Sequence, residues 1–478
     1  MNVGIEEPRA LYQKRIPIVT RSVKGRFRNF KWGVMVLAYA VYFGLPWLPW
    51  TREGLASQAI MFDLGQRRFF IFDLVMYPQN VFWLALLLFI AAIVLFFATT
   101  LIGRAFCGYF CFQTLWTDIF VWIEKLVQGE RPARIRLQRQ PWNKEKILKL
   151  GATHTLWVLL SFWTGMTFVL YYGYAPDLLA RFFTGHAAYA AYVTVFSLTV
   201  STYAAAGLMR EQICAYVCPY GRFQSVMYDP ETMAVAYDAK RGDATQGRAA
   251  PKGELKIREV RQNKGYGDCI DCGFCVQVCP AGIDIRDGLQ YACISCGLCI
   301  DACNTIMDSV GYPRGLIRYD SEANLAKPVP AKPRIDWMRP KVLGYSILLS
   351  VMTGALIYSI ASRTTFEHDV QQIRQPLYVV LSNGDIRNRY QIRLTNKSNK
   401  DMRYRITTQG LPHGALDLDE GQAVTVHSGN SVVVQASIKL TPQQVGKYPR
   451  FDFVITPLSQ PKDKAIEQVN FYSRKNEQ

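Results

Sequence analysis

Residues 269–303 read CIDCGFCVQVCPAGIDIRDGLQYACISCGLCIDAC, and eight of the chain's 12 cysteines fall inside this one stretch. Cys269, Cys272, Cys275 and Cys279 are spaced C-x2-C-x2-C-x3-C and followed by Pro280, and the spacing recurs at Cys293, Cys296, Cys299 and Cys303. Three cysteines at two-residue gaps wrap a loop around one face of a metal cluster, while the fourth is placed to reach the partner cluster. The spacing therefore predicts two 4Fe–4S clusters with crossed ligands. Cluster I takes Cys269, Cys272, Cys275 and Cys303; cluster II takes Cys279, Cys293, Cys296 and Cys299. Gly273 and Gly297 sit where such loops pass close to inorganic sulfide. Zinc is the competing reading, but it favours two separated C-x2-C knuckles feeding one ion. Asn304 stands where a proline commonly follows the last cysteine.

Outward from this run the chain turns apolar. Of its 478 residues 50% are hydrophobic and 19% charged, with a mean hydropathy of +0.03. This excludes a disordered chain and a disulfide miniprotein. Five segments are expected to cross a bilayer as helices: residues 31–50, 80–102, 155–174, 187–209 and 340–361. The first is bordered by Trp32, Trp47 and Trp50, as interfacial aromatics are. It does not read as a cleavable signal peptide, because its apolar run starts late and no small-residue cleavage site follows.

The net charge of +18 is mostly a topology signal. Arg9, Lys14, Arg15, Arg21, Lys24, Arg26, Arg28 and Lys31 precede or open the first segment, and a second basic block runs from Arg104 to Lys149. The loop between the first two segments instead balances Arg52, Arg67 and Arg68 against Glu53, Asp63 and Asp73. By the positive-inside rule the N-terminus, residues 103–153 and residues 210–339 are cytoplasmic, and the chain beyond residue 361 is outside. All the cysteines then lie at or near the reducing side, as free thiolate chemistry needs. Nucleic acid is not an expected partner; membrane lipid is.

The expected organisation is a multi-domain membrane protein. A cytoplasmic basic N-terminus covers 1–30, and a four-helix transmembrane region covers 31–238. A cytoplasmic two-cluster ferredoxin-like α+β insert follows at 239–335, a fifth transmembrane helix at 336–362, and a periplasmic all-β immunoglobulin-like sandwich at 363–478. The sandwich rests on about seven alternating segments such as NRYQIRLTN and SVVVQASIKL, parted by turn signals such as Asn383-Gly384, Asn396–Asn399 and Gly429-Asn430. Residues 239–265 and KPVPAKP at 327–333 read as linkers.

Two further cysteine pairs stand at the ends of hydrophobic segments. Cys107 and Cys111 lie in GRAFCGYFCFQT, and Cys214 and Cys218 in MREQICAYVCPYGRFQ. Each is C-x3-C, so on a helix both thiols share a face, and each follows an arginine, Arg104 or Arg210. The match suggests an internal repeat. Four thiols brought together would hold Cu(I), zinc or an iron–sulfur cluster; the alternative is simple packing. The five histidines show no ligand spacing, and there is no P-loop or dinucleotide-binding glycine motif.

The paired FCGYFC and CAYVCPYGRFQ motifs, the double ferredoxin run, the late hydrophobic segment and the β tail together resemble the FixG/RdxA/CcoG family of cytochrome oxidase accessory proteins. The resemblance covers nearly the whole chain, whereas NapH-type polyferredoxins lack the tail. It implies a bacterial inner-membrane protein, with cbb-type oxidase assembly factors or subunits as partners. It also implies reduction of Cu(II) to Cu(I); because thiolates prefer Cu(I), Cys107, Cys111, Cys214 and Cys218 are expected to hold copper near the clusters. In the family both C-x3-C motifs are usually followed by proline; Pro219 matches and Phe112 does not. Two other readings remain: a quinol-linked electron carrier, and an assembly scaffold with structural or sensory clusters. The electron donor is not legible.

Overall fold

The computed structural model describes the chain apart from residues 1–17, 52–57, 66–67, 77–79, 329–330, 363, 365, 399, 420, 422, 462 and 474–478. Arg9, Lys14, Arg15, Arg52, Glu53, Arg67 and Asn399, and part of the 327–333 segment, lie outside the described residues. The chain divides into two compact units, residues 1–48 with 85–353 and residues 49–84 with 354–478.

Four helices among the described residues are long and apolar enough to cross a bilayer: Val81–Ile102, Lys144–Leu170, Tyr189–Met209 and Pro340–Ala361. The chain is a membrane protein. Leu84, Leu87, Leu88 and Phe89 are exposed on the first of these helices, an apolar surface of the kind that faces lipid. The first expected segment forms the 19-residue helix Arg26–Gly44, followed by a tight turn over Leu45–Trp47. Its opening turns carry Arg28 and Lys31 packed inward against Asp118. The remaining apolar part, residues 32–44, reaches only about 20 Å, short of a hydrocarbon core about 30 Å thick.

Helix Lys144–Leu170 begins eleven residues before the expected segment, because Asn143 caps it by accepting from the amide of Lys146 at 2.8 Å. It packs on helix Phe112–Gln128, where Phe120 stacks on Trp157 with ring centroids 5.3 Å apart and Trp116 donates to Thr164 at 2.9 Å. Two half-buried carboxylates on that helix gather cations from distant segments. Asp118 takes Arg28 at 2.8 Å and Lys31 at 3.6 Å. Glu124 takes Arg134 at 2.9 Å and, in a shorter contact, Arg210. Burial opposes ionisation of Asp118, but Lys31 and Arg28 outweigh it and hold the carboxyl below its usual range.

The small sheet of strands β1 (Ile60–Asp63), β2 (Arg68–Ile71) and β3 (Leu74–Met76) is antiparallel. In the cysteine-rich lobe, β4 (Ala234–Tyr237) pairs antiparallel with β5 (Ile317–Asp320) and brackets the double run. Residues 239–265 are not the loose linker expected from their composition. Arg261 there is fully buried and donates to the carbonyls of Ala249 at 2.8 Å and Cys269 at 2.6 Å, so the segment is folded onto the first cysteine loop.

The C-terminal region is a β-sandwich. One sheet holds β6 (Phe366–Gln372), β7 (Val379–Val380), β8 (Ile386–Asn396), β10 (Leu416–Leu418) and β12 (Ser431–Leu440). The other is ordered β11 (Ala423–Val426), β9 (Met402–Gln409), β13 (Arg450–Pro457) and β14 (Ala465–Asn470). The described residues form nine strands against the seven or so expected, and the three-residue β10 is too short to show alternation. Tyr390, Ile392, Leu394, Tyr404, Ile406 and Phe453 are fully buried between the sheets, each on the inward phase of its strand.

Candidate metal and electron-transfer site

The two cysteine loops have one backbone shape. Asp271 and Gly273 in the first, and Ser295 and Gly297 in the second, all have left-handed φ, at 54°, 64°, 50° and 71°. Gly273 and Gly297 adopt this freely, while Asp271 and Ser295 do so at a cost that the same bend imposes twice. Short helices Phe274–Gln277 and Leu298–Val310 start directly after these glycines.

This bend and the return of the chain create two small cavities. Cys269, Cys272, Cys275 and Cys303 line the first, together with Phe274 and Leu316. Cys279, Cys293, Cys296 and Cys299 line the second, with Cys275 also on its wall. Cys303 thus stands with the first run and Cys279 with the second. Amides point at the sulfurs: Ser295 N–H donates to Cys293 at 3.4 Å, the N–H groups of Ala281 and Ile283 reach Cys279, and that of Ile317 reaches Cys303.

Burial pushes the Cys275 thiol up to about 11 and those of Cys279 and Cys303 to about 12, and raises Cys299 well above its ordinary value. Such thiols ionise on binding a cation that stabilises the thiolate. Among the described residues no three His, Cys, Asp or Glu side chains converge on a point that could hold a single ion, at the double run or at the C-x3-C pairs. Zinc would require thiolates at about 2.3 Å from one centre. Cysteines distributed around a cavity, with amides aimed at sulfur, fit a four-iron cluster instead. Cys272 is exposed, unlike Cys269, Cys275, Cys293 and Cys296.

The C-x3-C pairs do not lie on continuous helices. After helix Val81–Ile102, Gly103 turns left-handed (φ 55°), Cys107 lies in the short helix Ala105–Tyr109, and Cys111 caps helix Phe112–Gln128 in an extended conformation. The second pair repeats this plan. Arg210 breaks the chain at φ 46°, Cys214 lies in the wide π-helical turn Ile213–Val217, and Cys218 caps helix Pro219–Met227, also extended. Pro219 and Phe112 occupy the same first helical position, and Phe112 stacks on Trp116 with centroids 4.0 Å apart.

The four thiols are electrostatic neighbours: Cys214 feels Cys111, Cys107 and Cys218, and burial above all pushes it up to about 11. Burial also raises Cys107, against the pull of Arg104. The two arginines part company. Arg104, buried, donates to Gln224 at 2.9 Å and to the carbonyl of Tyr291 beside the second cysteine loop. Arg210 turns instead to Glu124 and over Trp157.

The first pair's loop rests directly on the second cysteine loop. Tyr109 donates to the carbonyl of Cys296 at 2.8 Å. A Cβ on Gly108 would lie 2.7 Å from the carbonyl oxygen of Ile294 and 2.9 Å from Cys296 Cα. Gly108, Tyr109, Gln224 and Tyr291 escaped the sequence reading; the small residue between Cys107 and Tyr109 was the available hint.

Comparison with known proteins places these elements. Residues 209–322 match a family described as "4Fe-4S dicluster domain", residues 83–129 a "4Fe-4S binding domain", and residues 356–474 an "IG-like fold at C-terminal of FixG". Protein RdxB of Cereibacter sphaeroides is 44% identical over 422 residues, covering 87% of each chain. Protein RdxA of the same organism is 42% identical over 407 residues, covering 84% of each. Nitrogen fixation protein FixG of Rhizobium meliloti is 38% identical over 449 residues, covering 87% of this chain and 84% of its own. The chain belongs to the FixG/RdxA family. As a member it is a membrane iron–sulfur protein with an immunoglobulin-like C-terminal domain. Both C-x3-C pairs fall inside the matched iron–sulfur regions, Cys107 and Cys111 in 83–129 and Cys214 and Cys218 in 209–322.

Three of the five histidines have partners away from the cysteines: His154 bonds Tyr203 at 3.0 Å, His186 bonds Thr184 at 3.2 Å, and His427 bonds Asp401 at 2.8 Å.

Proposed function

We propose that this family member is an inner-membrane electron-transfer protein that reduces Cu(II) to Cu(I) for assembly of a cbb-type oxidase. Cys269, Cys272, Cys275 and Cys303 hold cluster I, and Cys279, Cys293, Cys296 and Cys299 hold cluster II. When bound, the clusters supply low-potential one-electron chemistry. The observation that carries the reading is the seating of the Cys107 loop on the second cysteine loop through Gly108 and Tyr109. On this reading a soft-donor thiol set lies beside the loop that holds cluster II. Cys107, Cys111, Cys214 and Cys218 favour Cu(I) over Cu(II), adding driving force at the place where one electron converts one cupric ion. The exposed Cys272 edge is where a low-potential one-electron donor delivers. Arg104, between Cys107 and the loop of Cys293, stabilises negative charge on both. The N-terminus, residues 103–153 and 210–339 face the cytoplasm and the sandwich the periplasm; reporter fusions near residue 245 and after residue 400 should read opposite compartments.

Purified protein, reduced anaerobically and given Cu(II), should form Cu(I). Cys111→Ser and Cys218→Ser should sharply lower Cu(I) affinity while iron stays at about eight atoms per chain. Unchanged copper binding and reduction in both variants would refute the site. Cys303→Ser should damage the cluster held by Cys269, Cys272 and Cys275. A second reading has one observation in its favour: residues 83–129 match a 4Fe-4S binding domain. The four thiols would then hold a further cluster, and iron would rise to about twelve atoms per chain and fall to about eight in Cys111→Ser.

A further inference from the structure

A cavity of about 790 Å³ lies beside the thiol set. That is within the range of about 300–1,000 Å³ typical of small-molecule sites. Pro280, Ala281 and Ile294 of the cysteine loops form one part of its wall and Cys214 another. Eight lysine and arginine side chains line it, against the three carboxylates Asp118, Glu130 and Glu211.

The ion pairs leave that excess uncancelled. Arg28 and Lys31 share Asp118, Arg134 and Arg210 share Glu124 behind the wall, and Lys125 pairs with Glu130 at 2.9 Å. Arg21, Lys24 and Arg104 have no carboxylate partner among the described residues. Part of the charge is also buried. Lys31 is 1% exposed with Asp118 at 3.6 Å, and Arg134 is 4% exposed with its Nε buried and without a hydrogen-bond partner. Burying cations costs several kcal/mol each unless anions and hydrogen bonds compensate. A neutral apolar molecule would displace water here without replacing its hydrogen bonds.

We propose that this cavity binds an anionic small molecule through phosphate or carboxylate groups. A soluble anion and the headgroup of an anionic phospholipid share that chemistry. The site is independent of the copper reading, and its test requires no electron transfer.

The full-length protein with its iron intact, in neutral detergent, is titrated calorimetrically with inorganic pyrophosphate, with citrate, and with short-chain phosphatidylglycerol against phosphatidylcholine of equal chain length. Pyrophosphate or phosphatidylglycerol should bind at about one per chain, weakening by about tenfold between about 0.05 and 0.5 M salt as charges are screened. Arg21 and Lys24 are exposed at the cavity, so R21Q and K24Q should keep their iron and each weaken binding about fivefold. K439Q in the sandwich should bind as the parent does. Phosphatidylglycerol displacing pyrophosphate, with phosphatidylcholine inert, assigns the site to a lipid headgroup; pyrophosphate or citrate binding without that competition assigns it to a soluble anion. Absence of binding by every anion, or equal affinity in the R21Q/K24Q double variant with iron retained, overturns the proposal.

Discussion

Replacing Gly108 by alanine is the sharpest probe of the seat between the two cysteine-bearing loops. The added Cβ would lie 2.7 Å from the Ile294 carbonyl oxygen, 2.9 Å from Cys296 Cα and 3.1 Å from Cys296 N. All three are backbone atoms, so no rotamer relieves the contact. To reach an ordinary 3.4 Å contact the loops must part by about 0.7 Å. Overpacking of this kind costs about 1–3 kcal/mol. Gly108 is in the short helix Ala105–Tyr109, so alanine also returns up to about 1 kcal/mol of helix propensity. The clash wins, leaving a net local loss of about 1–2 kcal/mol concentrated at the loop of Cys293 and Cys296. The assay is electron paramagnetic resonance of the reduced protein, with thermal loss of the iron–sulfur absorbance. Of the two cluster signals, the one sensitive to Cys296→Ser should shift and be lost at lower temperature, while the other stays in place. Gly33→Ala is the control: it lies in helix Arg26–Gly44 with nothing within 4 Å of its Cβ position, so it should be neutral or mildly stabilising. If Gly108→Ala leaves both signals and the thermal loss unchanged, the seat has no part in holding the second loop.

Three further outcomes follow from the packing. Asp118 ionises more readily folded than unfolded, so its contribution is full above the unfolded value near pH 4 and is lost as pH falls through its lower folded value. Melting followed from about pH 7 to 3 should show that loss, and Asp118→Asn should be less stable at pH 7 by about 3–5 kcal/mol, with a flatter acid limb. Phe453→Ala should cost the sandwich about 3–5 kcal/mol, since Phe453 is fully buried against Tyr390 and Phe451. Iron content should not change, because the sandwich and the cysteine lobe belong to different compact units. Tyr109→Phe removes the donor to Cys296 and should give about 0.5–1.5 kcal/mol of the Gly108→Ala effect on the same cluster signal.

Short-range pattern carries what could be read from the residues before any fold was known. Cluster loops need thiols at fixed gaps of two or three residues, so Cys269 to Cys303 announced their chemistry without a fold. Bilayer helices need about twenty apolar residues in a row, and half-buried strands need alternation, so four of the apolar helices and most of the sandwich were legible too. The same patterns overreached where charge or breaks intervene. Pattern did not foresee that the opening turns of helix Arg26–Gly44 hold Arg28 and Lys31 against Asp118, and each C-x3-C looked helical until Gly103 and Arg210 broke the chain before it. Tertiary structure alone decided which groups meet. Tyr109 and Cys296 are 187 residues apart, and Arg210 reaches Glu124 across 86. No periodicity spans such distances, because the contact is fixed by how apolar faces pack and by which buried charge finds a partner.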